Sequence, residues 1–279
     1  MNEFGILHLK DDRFDTARSR EMQLLVRVAP KRISYAIINE KENRLLVLYD
    51  SPTSVNIEDT LYDLTTEYEY LRSTFSRIKV SVQTTGFTLI PIQYYTINDL
   101  EAYEQVLHAH EETKTFINAV FHGSVNCVSA LEMATIAPLI GAFAEVKLLS
   151  QAEPLIEGSS KLDGINTHKL VLQFNEESFE AFLGTADKLL FYNLFAIENA
   201  DDFNYFLLNV LQQFDVEPAE ISVTLCGYID SGDANYRRIE KYFSDIQFAD
   251  STILTTFSPA FEQLPKHQYY SLLSLILCE

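Results

Sequence analysis

The chain has 279 residues, 47% of them hydrophobic, and its 40 acidic against 21 basic side chains leave a net charge of −19. That apolar fraction excludes a disordered chain, and the length accommodates one large core or two modest ones. A field of this sign repels phosphate backbones and anionic lipid surfaces, so neither nucleic acid nor a membrane is expected as a partner.

Residues 1–21 are polar and weakly patterned and read as an N-terminal arm; the first twelve lack the long apolar core of a secretory leader, which points to the cytoplasm. Order begins with β-rich runs at 23–29, 32–39 and 44–50, separated by Pro30-Lys31 and by Glu40-Lys41-Glu42-Asn43. Ser54 or Asn56 then caps a helix over 57–72, in which Ile57, Leu61, Leu64, Tyr68 and Leu71 recur at helical spacing. A strand at 77–84 alternates Ile78, Val80 and Val82 with polar residues, and an extended run at 87–95 leads into a helix over 98–109. Between 115 and 155 the pattern predicts a helix at 130–143, kinked or broken at Pro138. Pro138, Gly141 and Glu145 also interrupt the most apolar stretch, 136–146, which is too short to cross a bilayer.

The same order then returns: β-rich runs at 169–174, 178–183 and 188–195, a helix over 200–214 begun by Asp201-Asp202, a strand at 221–227 and a helix over 234–244. Ser34 maps on Ser178, Leu45 on Leu189, Ile57 on Asp201 and Ile78 on Ile221 with a shift constant to one residue, which points to an internal duplication. The expected division is an arm at 1–21, a first lobe at 22–157, a linker at 158–168 built around Gly158-Ser159-Ser160 and Gly164, and a second lobe at 169–279. Cys127, Cys226 and Cys278 lie far apart without paired spacing, so neither a disulfide framework nor a thiolate zinc site is indicated.

Three strands in a meander, a helix, a fourth strand and a further helix make up the order of a ribonuclease H-like lobe, and two such α/β lobes resemble the actin-like ATPase architecture. The stretch Lys188-Leu189-Leu190-Phe191-Tyr192-Asn193-Leu194-Phe195, followed by Asp201-Asp202-Phe203-Asn204-Tyr205-Phe206-Leu207-Leu208, resembles the signature of a bacterial family numbered 3822 among domains of unknown function. Phe87-Thr88-Leu89-Ile90-Pro91 and Leu225-Cys226-Gly227 fit that family too. The resemblance implies an actin-like fold over most of the chain; the family has no assigned activity, so it implies no catalytic residues.

ATP with magnesium is what such a fold ordinarily holds, gripped by the turn between the first two strands of each lobe, where small residues let backbone N–H groups approach the phosphates. Here the first turn is Ala29-Pro30-Lys31-Arg32, with a proline that lacks a donor and no glycine, and the second is Asn175-Glu176-Glu177-Ser178, with two carboxylates. Only Lys31, Arg32, Gly227 and Ser231 offer themselves as nucleotide contacts, and Gly227 stands alone where a glycine pair is usual, with Tyr228 in the second place. No acid lies in 23–29 or 169–174, against a ribonuclease H-type two-metal nuclease. His108, His110, Glu111 and Glu112 carry possible metal ligands, but positions two apart on a helix point away from each other. The basic residues Lys31, Arg32, Arg44, Arg72, Arg77 and Lys79 are numerous enough to share a face, although solubility accounts for them; the rings Phe191, Tyr192, Phe195, Phe203, Tyr205 and Phe206 fit a core better than a peptide groove. The expectation is a non-catalytic actin-like scaffold with neither catalytic nor metal residues, which binds a protein partner or itself. The alternatives are a divergent ATP-binding or ATP-hydrolysing protein and a small-ligand sensor, both using the cleft between the lobes.

Overall fold

The computed structural model describes residues 5–53, 56–107, 109–162, 168–197, 200–218 and 221–279. Strand β1 (Leu7–Lys10) lies inside the expected arm and pairs antiparallel with β4, its side chains alternating between exposed and half-buried. Strands β2 (Met22–Ala29), β3 (Arg32–Asn39) and β4 (Arg44–Pro52) are the meander read from the sequence, and nearly every residue in them is buried. Such continuous burial arises where both faces of a sheet are covered. Helix α1 (Ile57–Glu67) is capped by Asn56, whose side chain accepts from the Glu58 N–H, and it buries Leu61 and Leu64; Ser54, the other candidate cap, lies outside the described residues. The helix predicted to reach Arg72 ends at Glu67, and Glu69–Arg72 form a tighter 3-10 turn that buries Leu71.

Strand β5 (Arg77–Val82) runs parallel to β2, and beyond it the chain builds a small separate sheet. Strand β6 (Phe87–Pro91), helix α2 (Leu100–Val106), strand β7 (Thr113–Val120) and strand β8 (Val125–Glu132) give it the order β6-β8-β7. Ala130–Glu132, expected to open a helix, instead pair with Thr113–Thr115; helix α3 (Met133–Ala142) starts only where that ladder ends, and Pro138 lies inside it without breaking it. Strand β9 (Val146–Ser150) returns to the edge of the first sheet beside β5, and helix α4 (Ala152–Lys161) follows. Gly158, Ser159 and Ser160, predicted as linker, therefore lie in a helix; Gly164 is outside the described residues.

Strands β10 (Lys169–Phe174), β11 (Ser178–Gly184) and β12 (Leu189–Ala196), helix α5 (Ala200–Gln213), strand β13 (Ser222–Gly227), helix α6 (Ala234–Ile239) and strand β14 (Ile246–Phe248) complete a second sheet. The predicted helix over 234–244 is thus one short element. The sheets read β1-β4-β3-β2-β5-β9 and β12-β11-β10-β13-β14, so without β1 they share one strand order, with the same antiparallel meander and the same parallel crossover strands.

Three cores result. One lies within the first lobe, between its sheet and α1 and α3, and one within the second, centred on Phe174, Phe179, Phe203 and Leu225. The third fills the seam, joining Leu25, Ala36 and Ile38 of the first sheet to Val171, Phe182 and Cys226 of the second. Helix α7 (Tyr270–Ser274) is driven into that seam, with Tyr270, Leu272, Leu273 and the adjoining Leu275 buried. Among the described residues no helix is long and apolar enough to cross a membrane.

Candidate functional site

The hairpin turn of each lobe points into the cleft. Ala29 pairs with Arg32 across Pro30-Lys31, and the Asn175 N–H donates to the Ser178 carbonyl across Glu176-Glu177, so the two turns occupy equivalent places in the two sheets. Their charges are opposite and they touch. The Lys31 ammonium meets the Glu177 carboxylate at the exposed mouth, and Arg32 Nε donates to Glu176 Oε1 at 3.0 Å below it. Deeper still, Arg27 Nη2 donates to Asn175 Oδ1 at 2.7 Å and lies 3.5 Å from Glu180 Oε1.

Each deep charge is held by more than its partner. Arg32 also donates through Nη1 to Asp50 Oδ2 at 2.9 Å, and its guanidinium lies 5.0 Å from the centre of the Tyr228 ring. Asp50 in turn accepts from the hydroxyls of Tyr228, at 3.2 Å, and Tyr269, at 3.2 Å. Glu180 accepts from the Tyr192 hydroxyl at 2.8 Å and from Asn175 Nδ2 at 3.3 Å. Complete burial pushes the Glu180 carboxyl above its ordinary value, against the opposing pull of Arg27. Burial, reinforced by the neighbouring Asp50 charge, likewise raises the Tyr228 phenol. A ladder of ion pairs thus runs from the mouth of the cleft to its floor, more than half exposed at Lys31 and buried at Arg27.

Around this ladder is a cavity of about 510 Å³, walled by Gln83, Thr85, Leu194 and Ile197 as well as by the two turns. Of the residues singled out as nucleotide contacts, Lys31 and Arg32 line it and Gly227 and Ser231 do not. Gly227 has φ +82°, and a Cβ there would stand 2.1 Å from the Phe174 carbonyl oxygen; the glycine lets β13 close against β10. Ser231 is exposed in the turn before α6, which Asp233 caps by accepting from the Tyr236 N–H. Local sequence does not mark Arg27, Asp50, Glu180 or Tyr269 as site residues, and it marks Tyr228 only as filling the place of a second glycine. Arg27 and Glu180 nonetheless carry a signal, each being a lone charge inside an otherwise apolar strand. The aromatic cluster is largely core: Phe203 and Tyr192 are buried, Phe191, Phe195 and Phe206 pack on the second core, and Tyr205 alone is exposed. No group of three or more potential ligands is placed to hold a metal among the described residues, and His108 falls outside them.

The family described as Protein of unknown function (DUF3822) matches residues 11–246. The chain belongs to this family. Among solved structures, this DUF3822 protein is similar to a Bacteroides thetaiotaomicron protein with an actin-like ATPase fold and unknown function. The TM-score is 0.78 at 18% identity, covering 95% of this chain and 99% of that one. It is also similar to a structure described as the PilM-PilN type IV pilus biogenesis complex, with a TM-score of 0.64 at 11% identity over 92% of this chain and 98% of that one. No curated protein matches the sequence. The fold of this DUF3822 protein is therefore the actin-like ATPase fold of two ribonuclease H-like lobes.

Proposed function

We propose that this DUF3822 protein is a non-catalytic actin-like module, working in the cytoplasm by binding a protein partner or a second copy of itself. The observation that carries the reading is the direct pairing of Lys31 with Glu177 and of Arg32 with Glu176, between the two turns where this fold would place a phosphate chain. Pro30 has no N–H to offer, and two carboxylates stand where a polyphosphate would bring up to four negative charges. A magnesium nucleotide does not fit that donor set: it would have to break at least two ion pairs and leave Glu176 and Glu177 against its own anionic groups.

Protein binding is supported by the exposed apolar side chains Ile92, Tyr94, Ile97 and Val106, which crowd one short segment of the small sheet and its helix. That this fold also occurs in a two-protein complex, PilM with PilN, agrees with such a role.

The reading is tested by thermal denaturation with magnesium and ATP, ADP or a non-hydrolysable analogue. Ligands that bind only the folded state raise the melting temperature by mass action, and a few millimolar nucleotide at roughly 100 times its Kd would add about 2.7 kcal/mol. The expected result is no shift; a rise of several degrees that Lys31→Ala removes would overturn the reading.

A further inference from the structure

A second cavity, larger than that of the cleft, lies at the opposite end of the first lobe from it. Strand β5 connects the two places: it ends at Val82, next to the Gln83 of the cleft wall, and starts at Arg77, on the rim of a space of about 830 Å³. The segment 71–76, the turn 142–145, Lys147 and the pair Cys278-Glu279 complete the walls.

Four cations line this space, Arg72, Arg77, Lys79 and Lys147, against the side-chain carboxylates of Glu145 and Glu279 and the α-carboxylate of Glu279, in a chain where acids outnumber bases by 40 to 21. Their arrangement is not that of a solvated surface. Arg77 and Lys79 are two apart on one strand and so project to one face, and Lys79 is the direct ladder partner of Lys147 on β9. Like charges opposite each other across a ladder destabilise a sheet, so this pairing opposes folding unless something offsets it. Burial holds the Lys79 ammonium below its ordinary value, and the charges of Arg77 and Lys147 lower it further.

Among the described residues none of the four cations is bonded to those carboxylates. Lys79 Nζ donates to the carbonyls of Leu275 and Ile276, at 3.1 and 3.0 Å, which uses two of its three N–H groups and no carboxylate. Arg77 reaches Glu40 only at 3.9 Å, with 65% of its side chain exposed. Arg72 donates to the Thr66 hydroxyl, and Lys147 has no hydrogen bond or ion pair among the described residues. Beside these cations lie the hydroxyls of Ser73, Thr74 and Ser76, while Leu71, Phe75 and Phe143, which also border the space, are buried in the first-lobe core.

We propose that this cavity binds a phosphate monoester of a small organic molecule, its phosphate received by Arg77, Lys79 and Lys147 and its organic part, a polyol, lying beside Ser73, Thr74 and Ser76. A phosphate carries about −1.5 to −2 charge at neutral pH and can take charge-assisted hydrogen bonds from several of these cations at once. The hydroxyls supply donors for its remaining oxygens, and the volume leaves room for an attached polyol. The strong negative net charge of the chain selects small anions over nucleic acid, whose backbone it repels.

The test is isothermal titration of the full chain with inorganic phosphate and with glycerol 3-phosphate, sodium chloride at equal ionic strength serving as the blank. Both should bind, the monoester more tightly. The double variant Arg77→Gln/Lys147→Gln, at the open side of the cavity, should weaken both by roughly tenfold or more, because each change removes a charge-assisted hydrogen bond. Lys188→Ala, an exposed lysine on the other lobe, and Lys31→Ala, at the cleft, should leave both affinities unchanged. The single variant Arg77→Gln gives the same reading, with a smaller loss, if the double variant does not fold. The proposal is overturned if neither anion binds at about 10 mM, a Kd ceiling near 2.7 kcal/mol of binding energy. Unaltered binding in the Arg77 and Lys147 variants overturns it equally, as does loss of binding in Lys31→Ala, which would place the anion in the cleft.

Discussion

Lys31 and Glu177, 146 residues apart in the chain, stand at the same position of their respective hairpin turns and form an ion pair with each other. The equivalent turns of the two lobes carry opposite charges, one cationic and one anionic, and so form a pair of complementary surfaces.

The ladder below that pair should be steeply graded in energy. The Lys31–Glu177 pair is 58% and 65% exposed, so Lys31→Ala should cost under about 1 kcal/mol. The Arg32–Asp50 pair is 3% and 5% exposed, and Arg32→Met should cost about 3–5 kcal/mol by leaving Asp50 buried without its cation. Adding Asp50→Asn to Arg32→Met should recover part of that loss, since it removes the stranded charge. Urea denaturation of the three variants measures all of this; equal costs at the mouth and in the interior would contradict the gradient.

Gly227→Ala should destabilise the fold outright. The residue would need a left-handed backbone costing about 1–3 kcal/mol, and its Cβ would collide with the Phe174 carbonyl. A lowered melting temperature without any nucleotide present is the expected reading. A substitution here therefore reports on strand closure and cannot serve as a probe of ligand binding.

Stability should fall as the pH rises from the acidic side. Glu153 is completely buried, and that burial raises its carboxyl above the ordinary 4.5, while Ser150 and Asn118 donate to it and pull the other way. A raised acid favours the folded state while protonated. Its contribution is complete below pH 4.5 and is lost as the pH climbs through the folded-state value. Burial raises Glu180 and Glu157 in the same direction. Glu153→Gln keeps the hydrogen-bonding shape without the charge, so it should flatten this decline and raise the melting temperature at pH 8 relative to the parent. A steeper decline in the variant would refute the assignment.

Gly158→Ala should force α4 and α7 apart. The added Cβ would lie 2.3 Å from Ser274 Oγ and 2.9 Å from a Tyr270 ring carbon, both on the helix facing it. Overpacking of this kind costs about 1–3 kcal/mol. Thermal unfolding would show it, and an unchanged melting temperature would mean that the helices yield without loss.

The two meanders were legible because alternating and continuous apolar runs between turn residues specify strands locally; the run from Arg32 to Asn39 and the run from Lys169 to Phe174 agree with the structure residue for residue. The unsuitability of the two turns for phosphate could also be read, since Pro30 and Glu176-Glu177 declare it in their own chemistry. Their pairing could not, because nothing local links Lys31 to a carboxylate 146 residues away. The start of the helix predicted over 130–143 differs for another reason: Ala130 and Leu131 are apolar enough to be buried in either a strand or a helix, and β7 decides the matter by pairing with them. Gly158-Ser159-Ser160 looked like a linker because small residues are common there. In this fold Gly158 stands where α4 and α7 pass close together.

The seam core also decides how the molecule comes apart. The family match ends at residue 246, yet Ala249, Leu254, Phe261, Tyr270 and Leu273 are buried in the seam core with residues of both sheets, and Leu45 of the first sheet donates its N–H to the Thr256 carbonyl. The last thirty residues therefore act as a bolt driven through both leaves of a hinge. Neither lobe owns its hydrophobic floor: separating them exposes the bolt, and removing the bolt exposes them both. Two lobes that look like independent units in cross-section should accordingly melt as one, in a single cooperative transition, and a fragment holding either alone should not keep its shape.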